Sequence, residues 1–250
     1  MLAMNDKDRM HRRKLERILF SNKAYFMNEY ILFDLDGTLI DHFTTIHKSV
    51  AHAQRELGLP QSEYAKVRAT VGGSVPITLG KLCGSENVAA AEPIFRQHFA
   101  EIIFDDVFTL PGAEWLLRSL KENGAKLGVL TNKYAADSRA VLAHLGLDQW
   151  LDVIIGTGDT DCPYRKPDPL FTAYALEKLD CASEEAVMIG DSPYDLAAAE
   201  AGCLACHLVA TGSHSFEELS EHLDEAYIHA DLYELGERVF GLPSPKQALN

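Results

Sequence analysis

The chain has 250 residues, of which 47% are hydrophobic and 24% charged, as in an ordinary globular protein. Its formal net charge is −14, and because residues 1–26 hold a net charge of +4, the remainder has −18. A chain this acidic repels nucleic acid and anionic membrane surfaces, and we expect neither as a main partner. No apolar run approaches the roughly 18 residues needed to cross a bilayer.

Short apolar runs alternate with helical patterns along most of the chain, beginning with the run 30–35, which ends just before Gly37. The later strand candidates are 126–130, 153–155, 186–189, 204–209 and 227–228. The helix candidates between and after them are 111–123, 134–145, 169–179, 193–201, 216–222 and 232–240. Strands that alternate with helices of this length predict a parallel sheet covered on both faces.

Residues 43–109 interrupt this alternation. Apolar side chains recur there at steps of three and four residues from Phe43 to Leu57, which predicts an amphipathic helix ending at Gly58. Three more helical segments are predicted near 62–70, 75–83 and 86–104, and no strand is expected. We therefore predict an all-helical cap inserted after the first strand.

The expected fold is α/β, with a doubly wound, mostly parallel, Rossmann-like sheet and an inserted helical cap domain. The predicted bounds are 1–26 for a poorly ordered extension, 27–42 and 110–240 for the α/β core, 43–109 for the cap and 241–250 for a frayed tail. The extension lacks the cleavage site and the long apolar segment of a secretory signal, and we expect no catalytic role for it.

The five cysteines are an odd number without framework spacing, which indicates reduced thiols in a cytoplasmic protein. Cys203 and Cys206 form a C-x-x-C pair, but the run 203–209 has the pattern of a buried strand. Positions three apart on a strand face opposite sides, so we expect neither joint metal binding nor redox pairing.

Polar side chains follow the predicted strands at the edge where an open α/β sheet binds its ligands. Asp34 and Asp36 follow the first strand directly, and two carboxylates so close to a buried strand are costly unless a cation is bound there. Gly37 allows a sharp turn there, and Thr38 can cap it. An Asp-Gly turn that merely closes a strand is the structural alternative.

Three further clusters follow later strands. Thr131 and Asn132 offer neutral hydrogen bonds to a phosphoryl oxygen, although a turn and helix cap explains them as well. Lys166 supplies a fixed positive charge in a loop that prolines make rigid, and a surface lysine is its alternative. Asp191 stands where an apolar strand stops, and Asp195 fits a capping box that begins at Ser192.

These clusters, in this order, resemble the four motifs of the haloacid dehalogenase superfamily. Asp34, Asp36 and Thr38 match the first motif, and the others match as follows: Thr131 the second, Lys166 the third, and Gly190, Asp191 and Asp195 the fourth. The resemblance extends over about 28–240 and includes a helical cap after the first motif. Within the superfamily, the segments 131–133 and 190–202 are most similar to phosphoglycolate phosphatases.

The resemblance implies a role for each matching residue. Asp34 is the nucleophile that forms an aspartyl-phosphate, and Asp36 is the general acid and base. Mg²⁺ is held by the carboxylates of Asp34 and Asp191 and the backbone carbonyl of Asp36. Thr131 and Lys166 bind the transferring phosphoryl group. Asn132 supports these two residues, and Asp195 orients the metal shell or Lys166.

The substrate expected from this resemblance is a small-molecule phosphate monoester, and phosphoglycolate is the first candidate. The expected enzyme is a monomer or a homodimer. Gly72 and Gly73 lie between two predicted cap helices and allow close backbone approach to a substrate. Arg68 lies nearby and is able to meet a carboxylate, but we expect it to be a solvated residue on a helix face.

Other activities remain open at this point. Within the superfamily the alternatives are a nucleotidase, a pyrophosphatase and a sugar-phosphate mutase. A phospho-accepting receiver module is disfavoured because such modules are shorter and have no inserted cap. A scaffold on an inactive hydrolase fold is disfavoured because the set of catalytic carboxylates is complete.

Overall fold

A computed structural model describes residues 30–243 of the chain. The predicted extension 1–26 and most of the predicted tail 241–250 therefore lie outside the described residues. Within 30–243, no helix is both long and apolar enough to cross a membrane.

A six-stranded parallel sheet forms the centre of the fold. Its strands are β1 (Tyr30–Phe33), β4 (Lys126–Tyr134), β5 (Val153–Thr157), β6 (Ala186–Gly190), β7 (Ala205–Val209) and β8 (Ile228–His229), in the spatial order β5-β4-β1-β6-β7-β8. The central strand β1 has almost no polar side chain, as expected for a strand buried on both faces. The prediction of a doubly wound, mostly parallel α/β sheet is confirmed.

The side chains of β1 alternate between two hydrophobic cores. Ile31 and Phe33 pack on one side of the sheet, and Leu32 packs on the other. The helices that cover the two faces are α5 (Ala113–Glu122), α6 (Ala135–His144), α7 (Pro169–Leu179), α8 (Pro193–Gly202), α9 (Phe216–Ser220) and α10 (Leu232–Phe240). This two-sided packing fixes the strand register.

That register brings three strand ends together. Phe33 pairs with Val129 of β4 and with Ile189 of β6. The residues that follow these positions therefore leave the sheet at one edge, as the sequence predicts for the ligand-binding edge.

A helical insertion, defined as residues 42–107, leaves the core after β2 (Ile40–Asp41) and returns to it at β3 (Phe108–Thr109). It contains the helices α1 (Phe43–Glu56), α2 (Tyr64–Arg68), α3 (Val75–Cys83) and α4 (Val88–Glu101). Its two ends are joined because β2 and β3 pair in an antiparallel two-stranded sheet.

Three expected boundaries are wrong in detail. Residues 43–109 do contain a strand, because Phe108 pairs with Asp41. β4 does not stop at residue 130 but extends to Tyr134 through a change of register. The strand expected from residue 204 begins at Ala205. Cys203 therefore lies outside the strand, where it ends α8 in a left-handed backbone conformation and is exposed, whereas Cys206 is buried within the strand.

Candidate active site

The first element of the site is the turn after β1, which presents Asp34 and Asp36. Both are almost fully buried, at 4% and 9% exposure. Gly37 has φ +91°, and a Cβ there would lie 2.6 Å from the Asp191 carboxylate, so only glycine allows this turn to approach Asp191. The turn therefore brings the first and last sequence motifs into contact.

Lys166 is buried between two carboxylates of the site. Its Nζ lies 2.8 Å from Oδ1 of Asp34 and 2.6 Å from Oδ1 of Asp195. Burial alone lowers the pKa of Lys166, but the charges of Asp195 and Asp34 outweigh burial and raise that pKa above its ordinary value. The lysine is therefore a permanent cation, and its alternative interpretation as a surface residue is wrong.

Asp34 itself is under opposing influences. Burial raises the pKa of its carboxyl group to about 6, although the neighbouring Lys166 lowers that pKa. Because Lys166 offsets only part of the effect of burial, a second cation bound beside Asp34 would stabilise its charged carboxylate further.

Asp195 supports this arrangement from the start of α8. Its Oδ2 accepts hydrogen bonds from the backbone N–H groups of Asp191 and Ser192 and from the Ser192 hydroxyl. Its Oδ1 contacts Lys166. Asp195 therefore both caps the helix and orients the lysine, and these two interactions use both of its oxygens.

Asp191 is buried with one oxygen held and one left over. Oδ2 accepts hydrogen bonds from the backbone N–H and the hydroxyl of Ser213, at 2.7 and 2.8 Å. Oδ1 is buried and has no hydrogen-bond partner among residues 30–243. Burial, together with the charges of Asp195 and Asp34, raises the pKa of Asp191 well above its ordinary range.

These carboxylates fit a divalent cation. Oxygen atoms of Asp34, Asp191 and Asp195 lie within 4.8 Å of one another. A buried carboxylate oxygen without a partner is costly unless a cation binds it, and carboxylate oxygens are the ligands that Mg²⁺ prefers. Because Asp195 has both oxygens engaged, Asp34 and Asp191 are the better ligand candidates.

Asp36 has a cationic neighbour that the sequence did not single out. Lys133 Nζ lies 3.1 Å from both carboxylate oxygens of Asp36 and 4.8 Å from the ring centre of Phe99 in the insertion. His42 is fully buried, with Nδ1 3.9 Å from Asp36 Oδ1, and burial lowers its pKa to about 2. Asp36 is thus held between one cation and one neutral imidazole.

Asn132 links three parts of the molecule. Its amide Oδ1 accepts a hydrogen bond from the backbone N–H of Lys166, and its Nδ2 donates to the carbonyl oxygens of Lys166 and Gly72. Thr131 lies beside it, and its Oγ1 accepts a hydrogen bond from the backbone N–H of Lys133. Within residues 30–243 the hydroxyl hydrogen of Thr131 has no acceptor, so it is available for a ligand. Asn132 therefore fixes the Lys166 loop and also contacts the insertion.

A cavity of about 700 Å³, including its part open to solvent, lies between the strand ends and the insertion. Asp34, Asp36, Thr131 and Asn132 line its floor, and Gly72 borders it with Gly73. The opposite wall is mainly apolar and consists of Ile46, Val71, Val75, Leu79, Phe95 and Phe99, with Arg96 as its charged member.

The structure brings the sequence-predicted residues into one site. Seven of them are buried at the strand ends: Asp34, Asp36, Thr131, Asn132, Lys166, Asp191 and Asp195. Gly72 and Gly73, which belong to the insertion, line the cavity together with Asp34 and Asp36. The sequence interpretation missed the contacts of Lys133 and Ser213. The position of Lys133 directly after Thr131 and Asn132 was a usable signal for the first, and Ser213 had none.

One expectation about the insertion is wrong. Arg68 is not a solvated residue on a helix face but is half-buried, and its guanidinium donates hydrogen bonds to the backbone carbonyls of Thr211 and Gly212. Its partners are distant in sequence and are backbone atoms, so residue type alone did not indicate them.

Comparison with known proteins places this site in a family. The family model of the haloacid dehalogenase-like hydrolases, which describes their sequences, matches residues 31–208, and the chain belongs to that family. The similar proteins include a phosphoglycolate phosphatase of Cereibacter sphaeroides, 33% identical over 82% of this chain and 89% of the relative. Another phosphoglycolate phosphatase, from Aquifex aeolicus, is 36% identical over 67% of this chain and 78% of the relative.

A solved structure shows the same fold. The crystal structure of a predicted phosphatase from Clostridium acetobutylicum is 31% identical and has a TM-score of 0.77, with 86% of this chain and 99% of that chain covered. Family and relatives together identify the chain as an enzyme of the phosphoric monoester hydrolase class, similar to phosphoglycolate phosphatases.

Proposed function

We propose that the protein is a Mg²⁺-dependent phosphatase that hydrolyses a small-molecule phosphate monoester through an aspartyl-phosphate on Asp34. The observation that supports this most directly is the buried set of Asp34, Lys166 and Asp191. Lys166 compensates the charge of Asp34, and Oδ1 of Asp191 has no hydrogen-bond partner within residues 30–243. Asp191 also belongs to a group of carboxylates that fits a divalent cation.

In this proposal the nucleophile is the Asp34 carboxylate. It attacks phosphorus, the P–O bond to the leaving group breaks, and the phosphoryl group remains on Asp34 as an acyl phosphate. Lys166, held by Asp195, offers its N–H groups to the phosphoryl oxygens, and the free hydroxyl hydrogen of Thr131 adds a neutral donor.

Asp36 transfers the protons. It donates one to the departing alkoxide and then accepts one from the water that attacks phosphorus, which releases inorganic phosphate and restores Asp34. Lys133 keeps the Asp36 carboxyl group directed toward the cavity through its contact with both oxygens.

Mg²⁺ would be held by Asp34, by Asp191 and by the backbone carbonyl of Asp36. When bound, it supplies two positive charges to a protein whose net charge of −14 otherwise repels phosphate. Asp195 would stay a supporting residue, because both of its oxygens are engaged.

We propose further that the insertion 42–107 acts as a cap over the active site and that Gly72 and Gly73 contact the leaving group. The two glycines line the cavity, and the amide of Asn132 donates to the Gly72 carbonyl, which supports a closed arrangement. Closure would exclude water from the reacting groups.

Phosphoglycolate is the first candidate substrate because relatives named phosphoglycolate phosphatase are similar to this chain over most of its length. The apolar wall of the cavity favours a second candidate class, phosphate esters with an apolar leaving group. A nucleotidase, a pyrophosphatase and a sugar-phosphate mutase remain alternatives, as do a monomer and a homodimer, and a cytoplasmic location stays a prediction.

The proposal is tested by phosphate release from a panel that contains 2-phosphoglycolate, phenyl phosphate, a nucleoside monophosphate and glucose 6-phosphate, each with and without Mg²⁺. We expect release to require Mg²⁺ and to be lost in Asp34→Asn. Release that is unchanged in EDTA would contradict the metal assignment, and interconversion of sugar phosphates without phosphate release would favour a mutase.

A further inference from the structure

Arg68 connects the insertion to the core in a way that the proposed mechanism does not use. It is the last residue of α2, and its Nε and Nη2 donate hydrogen bonds of 3.0 Å to the carbonyl oxygens of Gly212 and Thr211. The guanidinium also lies over the ring of Phe43, 5.1 Å from its centre. Two hydrogen bonds and an aromatic contact hold the arginine in one orientation.

The segment that Arg68 binds, residues 211–213, is also the segment that holds Asp191. Ser213 donates two hydrogen bonds to Asp191 Oδ2. Gly212 packs so closely that a Cβ at this position would overlap the Asp191 carboxylate. Any displacement of this segment therefore changes the position of that carboxylate.

The same segment contacts the nucleophile turn. The Thr211 hydroxyl donates a hydrogen bond of 2.7 Å to the carbonyl oxygen of Gly37. Segment 211–213 is thus placed between Arg68 on one side and two parts of the active site on the other, the turn after Asp34 and the carboxylate of Asp191.

We propose that Arg68 is a positioning residue that couples contact between the insertion and the core to metal binding at Asp191. When the insertion lies against the core, Arg68 holds the carbonyls of segment 211–213, and Ser213 then fixes Oδ2 of Asp191 so that Oδ1 is directed at the cation. When the insertion moves away, this segment loses its outer support. The inference rests on the proposed role of Mg²⁺.

Two further contacts between the insertion and the core involve segments other than 211–213. Asn132 binds the Gly72 carbonyl and the Lys166 loop, and Arg96 lies over the ring of Tyr134. Loss of these contacts would loosen the insertion without removing support from segment 211–213. Loss of the Arg68 guanidinium is therefore expected to have a specific effect, a lower affinity for Mg²⁺ at Asp191.

The test is calorimetric titration of the substrate-free protein with Mg²⁺, which needs no turnover. Arg68→Met retains an unbranched aliphatic side chain and removes the guanidinium together with both hydrogen bonds. Arg55→Met is the matched control, because Arg55 belongs to the insertion but its guanidinium contacts His52 on the same helix. Outer residues that orient metal ligands typically change affinity 10–100-fold, so we expect a loss of about tenfold or more in Arg68→Met and none in Arg55→Met.

Coupling through Ser213 separates this role from a general loss of structure. Ser213→Ala should weaken Mg²⁺ binding as well, and Arg68→Met combined with Ser213→Ala should be little weaker than the worse single variant, since both act through Asp191. Arg68→Lys retains the positive charge and a hydrogen-bonding group, and it should therefore restore part of the Mg²⁺ affinity that Arg68→Met loses. Melting temperatures in EDTA identify any variant that fails to fold.

The possible failures are distinguishable. If the wild type binds Mg²⁺ and Arg68→Met binds it within about twofold of Arg55→Met, the coupling is refuted while the proposed function stands. Losses that multiply fully in the double variant would also refute it, because they would show independent effects. If the wild type binds no Mg²⁺, the proposed metal dependence is wrong, and this inference is wrong with it.

Discussion

Removal of the Lys166 charge is expected to destabilise the protein strongly in the absence of metal. The side chains of Lys166, Asp34 and Asp195 are 1%, 5% and 0% exposed. Lys166→Met retains the aliphatic length but leaves two buried carboxylates close together without a cation.

The expected size of the loss follows from this burial. Removal of one partner from a buried ion pair typically costs 3–5 kcal/mol, because the remaining charge has lost its compensation. Proton uptake limits the loss, since burial already raises the pKa of Asp34 to about 6 and loss of the lysine raises that pKa further. We therefore expect a loss of about 3 kcal/mol or more in unfolding free energy at pH 8.

Urea unfolding in EDTA measures this quantity. Lys166→Met combined with Asp195→Asn should recover part of the loss, because it removes one of the two uncompensated charges. Lys121→Met is the control, since Lys121 pairs with Asp152 but both side chains are about one third exposed. Exposed pairs contribute roughly 0–1 kcal/mol. An unfolding free energy of Lys166→Met within about 0.5 kcal/mol of that of Lys121→Met would refute the reasoning.

Three further predictions concern proton transfer, pH and the cavity. Asp36→Asn should lower kcat on the order of 10²–10⁴-fold if Asp36 is the general acid and base, while calorimetry shows Mg²⁺ binding retained. Burial lowers the pKa of His207 to about 3 and that of His229 to about 4, so the unfolded chain binds more protons below pH 6.5. The unfolding free energy of the wild type should therefore fall from pH 6.5 toward pH 4, by up to about 1.4 kcal/mol per pH unit for each histidine. The fall should be less steep in His229→Gln, and equal slopes in the wild type and this variant would contradict the assignment. Phe95→Ala should raise KM for phenyl phosphate about 2–10-fold and change KM for 2-phosphoglycolate less, and the opposite order would show that the apolar wall does not contact the leaving group.

The central sheet and the position of the site were predictable because both depend on local sequence patterns. Each strand is a short apolar run, and Asp34, Thr131 and Asp191 follow such runs directly. Parallel strands place their carboxyl ends at one edge, so residues far apart in sequence were expected to meet there.

The connections around the site were not predictable in the same way. Arg68 binds backbone carbonyls 143 and 144 residues away, and a carbonyl has no signature in the sequence. Lys133 reaches Asp36 because β4 continues through an irregular register after Leu130, which the apolar pattern does not indicate. The strand at Phe108 was missed because it has two residues, too few for a periodicity.

The most direct test of the account is to locate the phosphoryl group during turnover. The enzyme is mixed with substrate and Mg²⁺, quenched in acid and digested, and the peptides are analysed by mass spectrometry. We expect one added phosphoryl group on Asp34 of the wild type and none in Asp34→Asn, which should also release no phosphate. A phosphoryl group on another residue, or phosphate release by Asp34→Asn at the wild-type rate, would contradict it.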